Sequence, residues 1–380
     1  MSDRETFSGT TVLIERESED RFWLNMGPQH PSTHGVFRIL LETEGEVVTR
    51  VVPVIGYLHR GVEKLSENRE WMGAIPLTDR MDYLSAIYSN MALVQPVETL
   101  MGIEVPERAQ WLRVLSMEIN RLASHLLFYG TMGLDLGALT PFFYAFRQRE
   151  KVQYLLELLS GQRITHNYIR YGGVRGDLTP AIEKEIRAFV EGFVPALTEM
   201  EALLSENEIF RGRMKGLGVT KPDFLESYAV TGPILRAAGV DWDLRRDSSY
   251  AAYDKMDFNV PVHQDGDCYA RWWVRFQEMV ESTRIIQQCL DGMPAGKFKK
   301  PLPFFLKVPR GEIYQSVDTP RGDLGVYVVS DGSRFPYRIH YRAPSFCNLS
   351  AIPSLIEGEM LADVVAILGS FDPVFGEVDR

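Results

Sequence analysis

The chain has 380 residues, with 41 Lys and Arg against 51 Asp and Glu, and a formal net charge of −10. At 45% hydrophobic and 24% charged residues, its composition is that of a globular protein with ample core material, which excludes disordered and collagen-like classes. The acidic balance argues against nucleic acid as a partner, since phosphate backbones are gripped by clustered positive charge.

Residues 1–55 read as short strands: 10–15, 22–26, 36–43 and 46–54 are β-branched or apolar runs, and Glu44-Gly45 supplies a hairpin turn. The stretch before them alternates charge and has no apolar h-region, so no secretory leader is expected and a cytosolic address follows. No 18-residue apolar run is present to cross a membrane.

From Arg60 the period becomes helical. Met81, Leu84, Tyr88, Met91 and Gln95 step by three or four, with Pro96 as a stop or kink. A second helix is expected over 106–130, with Trp111, Leu115, Leu122 and Leu126 on its apolar face. Thr140-Pro141 and Thr179-Pro180 are each an N-cap followed by proline at the first helical position. They open a third helix closing at Gly161 and a fourth running to about Glu206. A fifth is expected over 265–292, where Trp272, Phe276, Met279 and Ile286 share a face.

After Gly292 the period returns to two. Strands are expected at 312–317, 324–330 and 336–342, then a last helix over 353–369. The fold class is therefore α+β: a central helical bundle flanked by small sheets from the two ends of the chain. Four regions follow: an N-terminal β region (1–58), a helical core (59–295), a small β region (296–345), and a C-terminal helix and tail returning to the core (346–380). No glycine-rich strand–helix turn is present, so neither a P-loop nor a dinucleotide fingerprint is available.

Three cysteines, Cys268, Cys289 and Cys347, are too few and too scattered for a cysteine-ligated cluster or a structural zinc site, and read as free thiols. The densest chemistry-bearing stretch is 27–35, Gly-Pro-Gln-His-Pro-Ser-Thr-His-Gly, which holds two of the seven histidines between two strands. Proline stiffens such a loop and glycine allows close approach to a ligand. His30 and His34 either contact a ligand or cap backbone groups; Pro31 and the missing glutamate rule out the helical zincin pair. Tyr83, at the start of a helix, is either a core residue or a proton donor lining a cavity. Asp135, in the apolar setting 132–137, either caps or turns the backbone or pairs with a histidine, whose basicity it would raise. The stretch 296–310, with Lys297, Lys299, Lys300, Lys307 and Arg310 among three phenylalanines, reads as a solvated loop or as a surface for lipid or a neighbouring protein.

Taken together, 27–35, Gly56–Lys64 (Gly-Tyr-Leu-His-Arg-Gly-Val-Glu-Lys), Thr78–Tyr83 (Thr-Asp-Arg-Met-Asp-Tyr), 172–177 (Gly-Gly-Val-Arg-Gly-Asp) and 370–373 (Ser-Phe-Asp-Pro) resemble the D subunit of the proton-pumping NADH–quinone oxidoreductase, respiratory complex I. The resemblance runs along essentially the whole chain in order. It implies kinship with the large subunit of nickel–iron hydrogenases. The stretches corresponding to the hydrogenase metal-binding cysteine pairs, 60–65 and 372–377, hold no cysteine, so a thiolate-held metal is excluded and none is expected. The resemblance implies instead that the old metal cavity serves a quinone.

On this basis His34 and Tyr83 match the quinone headgroup ligands, Asp135 matches the carboxylate that pairs with the histidine, and Arg60 matches an arginine near the iron–sulfur cluster of the adjacent B subunit. Where relatives carry a cluster-facing histidine, this chain has Thr165 followed by His166, which places His166 as the candidate there. NADH, FMN and the clusters would be held by other subunits, and this chain would hold no cofactor of its own. Its partners would be subunits B, C and H and the rest of the peripheral arm, on the cytoplasmic side of the cell membrane, with membrane contact only through the complex. Two rival readings are a purely structural scaffold subunit and a stand-alone hydrolase using His30 and His34; the sequence offers the latter no nucleophile–base motif.

Overall fold

The computed structural model describes residues 4–6, 13–16 and 21–380. The expected strand at 10–15 lies partly outside the described residues, which resume at Leu13. Five antiparallel strands form the N-terminal sheet, in the order Arg4–Thr6, Leu13–Arg16, Arg21–Met26, Arg38–Glu44, Val47–Val54. The alternation of Arg38–Glu44 puts Ile39 and Leu41 fully into the core, as period-two patterning requires. A three-stranded antiparallel sheet, Gly311–Thr319, Gly322–Ser330 and Arg338–Arg342, closes the other end of the sequence. The α+β class inferred from the sequence holds.

The bundle is built on the helix Glu107–Asp135, which packs against Leu139–Ser160 and Cys268–Gly292. Capping explains where the others begin. Thr179 accepts the Ile182 amide at 3.3 Å and opens Pro180–Met200; Asp267 accepts the Ala270 amide at 2.7 Å and opens Cys268–Gly292. At Thr140 the expectation fails: the helix begins two residues earlier, with Ala138 at the cap and no side-chain cap bond among the described residues.

Other boundaries differ as well. The helix predicted from Met81 starts only at Ala86, because residues 79–85 form an irregular turn around Asp82; it passes through Pro96 and ends at Met101. The last helix is split into Pro353–Ile356 and Leu361–Phe371 by Gly358, whose φ of 94° no helix accommodates. The break lets 358–361 run beside the N-terminal sheet: Val48 and Gly358 donate backbone bonds to Glu359 and Val48 at 2.9 and 2.8 Å. The C-terminal tail continues this return, since the Asp379 carboxylate accepts the Gly56 and Leu58 amides at 2.8 and 2.7 Å. Both ends of the sequence therefore meet at one side of the bundle.

Candidate functional site

Where the two ends meet, the loop 27–37 is pinned in an unusual shape. A Cβ at Gly27 would lie 1.9 Å from the Phe37 carbonyl oxygen, so only glycine fits this approach. Gln29–His30 pairs with Gly35–Val36, and the Thr33 hydroxyl lies 2.8 Å from the His30 carbonyl and 3.1 Å from that of Gly35. His34 follows in the left-handed region, φ 55°. Phe37 stacks on Phe375 of the C-terminal helix Phe375–Asp379, with ring centroids 4.6 Å apart, which fastens the loop to the tail.

This posture brings His34 Nε2 to 2.7 Å from Asp135 Oδ2, with both side chains 10% exposed. Asp135 is the last residue of Glu107–Asp135, where the helix dipole disfavours negative charge, and the His34 ring supplies a hydrogen bond in compensation. Burial by itself lowers the basicity of His34. The hydrogen bond to Asp135, its charge, and the charge of Asp372 outweigh that and raise the imidazole above its ordinary value. Gly369 leaves room for the pair: a Cβ there would meet His34 Nε2 at 3.1 Å and Asp135 Oδ2 at 3.2 Å.

Tyr83 stands in the turn before Ala86–Met101, 38% exposed. Its neighbour Asp82 is buried and accepts the Leu84 and Ser85 amides at 3.1 and 3.2 Å and the Ser85 hydroxyl. Burial, then the Asp82 charge, push the Tyr83 phenol upward, so it remains a protonated donor at neutral pH. Arg321 joins the two sides of the site. It lies in the hairpin turn after Gly311–Thr319, is fully buried, and forms ion pairs with Asp82 at 3.3 Å and Asp372 at 3.1 Å. Asp372 caps Leu361–Phe371 with φ 52°, and its charge reaches both His34 and Tyr83.

Arg60 is exposed; its guanidinium donates to the Arg80 carbonyl and its charge reaches Tyr83. His166 is not drawn into this group. It is 2% exposed, its Nδ1 contacts the Gln162 carbonyl at 2.9 Å and the Ser160 hydroxyl at 3.3 Å, and burial lowers it to about 4, so it is a neutral ring turned into its own loop. The hydrogen bond from the following residue, Asn167 N–H to Asp79 at 3.3 Å, ties that loop to the segment leading to Tyr83.

The structure thus joins His34 to Asp135 directly, sets His34 and Tyr83 both within reach of the Asp372 charge, and puts Arg60 near Tyr83. Sequence reasoning missed Asp82, Arg321 and Asp372. Asp82 and Asp372 lie inside the motifs 78–83 and 370–373 and were available there; Arg321, in a turn, gave no signal. Among the described residues no group of histidine, cysteine, aspartate and glutamate side chains could hold a metal ion. Nor is any helix among them long and apolar enough to cross a membrane. Chemically the arrangement offers two groups able to donate protons, a raised imidazole and a phenol, both within reach of the Asp372 charge.

The α+β scaffold and its sequence agree with a known family. The family described as "Respiratory-chain NADH dehydrogenase, 49 Kd subunit" matches residues 135–307 and 303–380. Similar relatives are the D subunit of the NADH-quinone oxidoreductase of Geobacillus thermodenitrificans, 51% identical over 94% of this chain and 98% of the relative, and that of Clostridium beijerinckii, 48% identical over 94% and 96%. The D 2 subunit of the Solibacter usitatus enzyme is 48% identical over 99% of both chains. The chain belongs to the family of the 49 kDa subunit of the respiratory-chain NADH dehydrogenase.

Proposed function

We propose that this chain works within an NADH–quinone oxidoreductase as the wall that receives the quinone headgroup, with electrons arriving from an iron–sulfur cluster in the adjacent B subunit. Subunits C and H complete its immediate surroundings, and the complex attaches it to the cytoplasmic side of the membrane. The observation that carries this reading is the His34–Asp135 pair, 2.7 Å long and nearly enclosed, within reach of the same Asp372 charge as Tyr83.

Quinone reduction consumes two electrons and two protons, and this chain's share is the protons and their placement. His34 uses Nε2 for Asp135, which leaves Nδ1 to donate to one carbonyl oxygen as negative charge builds on it. Tyr83 donates the second proton. When His34 has given up its proton, Asp135 loses its counter-charge, and that local imbalance is the trigger available for conformational change elsewhere in the complex. Arg60 adds positive potential at the edge where electrons enter.

Tyr83→Phe in the intact complex tests the reading, with NADH oxidation followed using a short-chain quinone and, separately, a hydrophilic acceptor that takes electrons upstream. Quinone reduction is expected to fall about 10²-fold, the usual worth of a positioned general acid, while upstream oxidation persists. Retention of both rates would favour a purely structural role.

A further inference from the structure

Arg321 divides its guanidinium between Asp82 and Asp372, yet a third carboxyl, Glu377, is buried in the same environment without a share of it. Glu377 is 0% exposed; Oε2 accepts the Ser345 amide at 3.1 Å, and Oε1 has no hydrogen-bond partner among the described residues. The residue before it fixes how close it stands to the site. A Cβ on Gly376 would lie 2.6 Å from the Met81 carbonyl oxygen and 3.3 Å from Cε1 of the Tyr83 ring. The Glu377 backbone is therefore one residue from direct contact with the Tyr83 turn.

Charge counting separates Glu377 from its neighbours. Asp82, Asp372 and Glu377 face one shared guanidinium, Arg321, and the more distant Arg275, whose charge is coupled to Asp372. A buried carboxylate without an ion-pair partner is unfavourable, and of the three only Glu377 lacks one among the described residues, so it is the carboxyl that a proton neutralises at least cost. Asp82 and Asp372 have ion-pair contacts; Glu377 has only neutral donors from Ser345, its amide and its side chain.

We propose that Glu377 rests as a neutral carboxylic acid and is the internal store from which Tyr83 recovers its proton after donating one to the reduced quinone. The inference rests on the quinone-site reading of Tyr83. In the first transfer the Tyr83 O–H bond breaks as the substrate O–H forms. In the second the Glu377 O–H breaks, the phenol O–H re-forms, and Arg321 faces the resulting carboxylate. Solvent later restores the Glu377 proton. Both electrons are those of the NADH–quinone reaction, so no further reactant is needed.

Groups around Glu377 are consistent with this poise. Asp82 repels it from the turn before Ala86–Met101, Arg321 attracts it from the hairpin, and Ser345 donates from the start of Pro344–Ala351. On its own helix the Asp379 carboxylate is taken by the Gly56 and Leu58 amides, and the Arg380 guanidinium goes to the Tyr341 carbonyl at 3.0 Å. Burial first, and the Asp82 charge second, push the Glu377 carboxyl up to about 7. Glu377 touches no substrate; it acts through Tyr83.

The test uses Glu377→Gln and Glu377→Asp in the intact complex. The glutamine variant is expected to lose about tenfold in quinone turnover near pH 6, where Glu377 holds its proton, with KM for quinone unchanged and a smaller deficit near pH 8, where the wild-type carboxyl has already ionised. The aspartate variant should recover most of that loss. Wild-type turnover of Glu377→Gln at every pH would overturn the proposal, as would an equal, pH-independent loss in both variants. Should Glu377→Gln fail to assemble, the infrared difference spectrum on quinone reduction decides: a protonated-carboxyl band must shift in Glu377→Asp, and an unshifted band overturns the proposal. Tyr83→Phe run alongside distinguishes the failures. If it leaves quinone reduction intact, the quinone-site reading falls; if it abolishes reduction while Glu377→Gln is silent, only the proton store falls.

Discussion

Two charged interiors lie within one molecule, and they are built on opposite plans. In the first, Glu118, Asp243, Glu278 and Asp318 meet Arg121, Arg236 and Arg245, all with fully buried side chains. Every carboxylate oxygen there has a donor: Glu278, for example, accepts Arg236 at 2.7 Å, Arg121 at 3.2 Å and His125 at 2.8 Å. The second, around His34, Tyr83 and Arg321, has a half-exposed phenol and a carboxyl oxygen, Glu377 Oε1, with no hydrogen-bond partner among the described residues. Each has more acids than guanidiniums, but the surplus is handled differently. In the closed network burial, then the Asp243 charge, raise Asp318, while His125 is lowered to about 4 by burial despite touching Glu278. At the candidate site the histidine is raised instead. A buried charge network in which every carboxylate oxygen is satisfied rigidifies a core; one that leaves a carboxyl oxygen open is placed to exchange protons.

The largest effect expected from this contrast comes from Arg236→Met, which strips Glu278 and Asp318 of a fully buried cation. A loss of about 3–5 kcal/mol is expected, and with it assembly, so both acceptor activities should fall together. Selective loss of quinone reduction in an assembled complex would break the distinction. Gly369→Ala acts on the other region. Its methyl would meet the His34–Asp135 pair at 3.1–3.2 Å, and quinone reduction is expected to fall about tenfold while upstream NADH oxidation and thermal stability change little.

Asp135→Asn sharpens the electrostatic side. Because the folded state raises His34 above 6.5, the pair's stabilisation is complete below that value and is lost as pH rises through the raised one. Removing the carboxylate lets burial dominate and lowers His34. The alkaline limb of the quinone-reduction profile should therefore move to lower pH, with the deficit deepest near pH 8. An unmoved limb would show that His34 does not supply the proton. The smallest effect is expected for Tyr88→Phe, which removes a hydroxyl 3.2 Å from Glu118 and 3.1 Å from Arg121: about 1 kcal/mol in thermal unfolding and no change in quinone kinetics.

Much of this was legible from local signals. The Thr179 and Asp267 caps start their helices as their side chains dictate, and strand periodicity located both sheets. Thr140 misled because Leu139 is already helical, and the 353–369 helix was drawn straight through Gly358. Met81 and Leu84 fit a helical period but fall in the Asp82 turn, where side-chain bonds to local amides replace the helix ladder.

What the sequence determined by itself was the kind of each element, the lack of thiolates where a metal would need them, and a glycine- and proline-shaped loop carrying His34. These depend on backbone conformations and side-chain chemistry within a few residues. Tertiary structure alone decided that His34 meets Asp135 across 101 positions, and that Arg321, in a turn that ordinarily faces water, is sealed between Asp82 and Asp372. It also decided that Glu377 has no ion-pair partner among the described residues. Contacts at such separations, and the burial that sets a proton's affinity, arise only when the two ends of the chain are packed against the bundle.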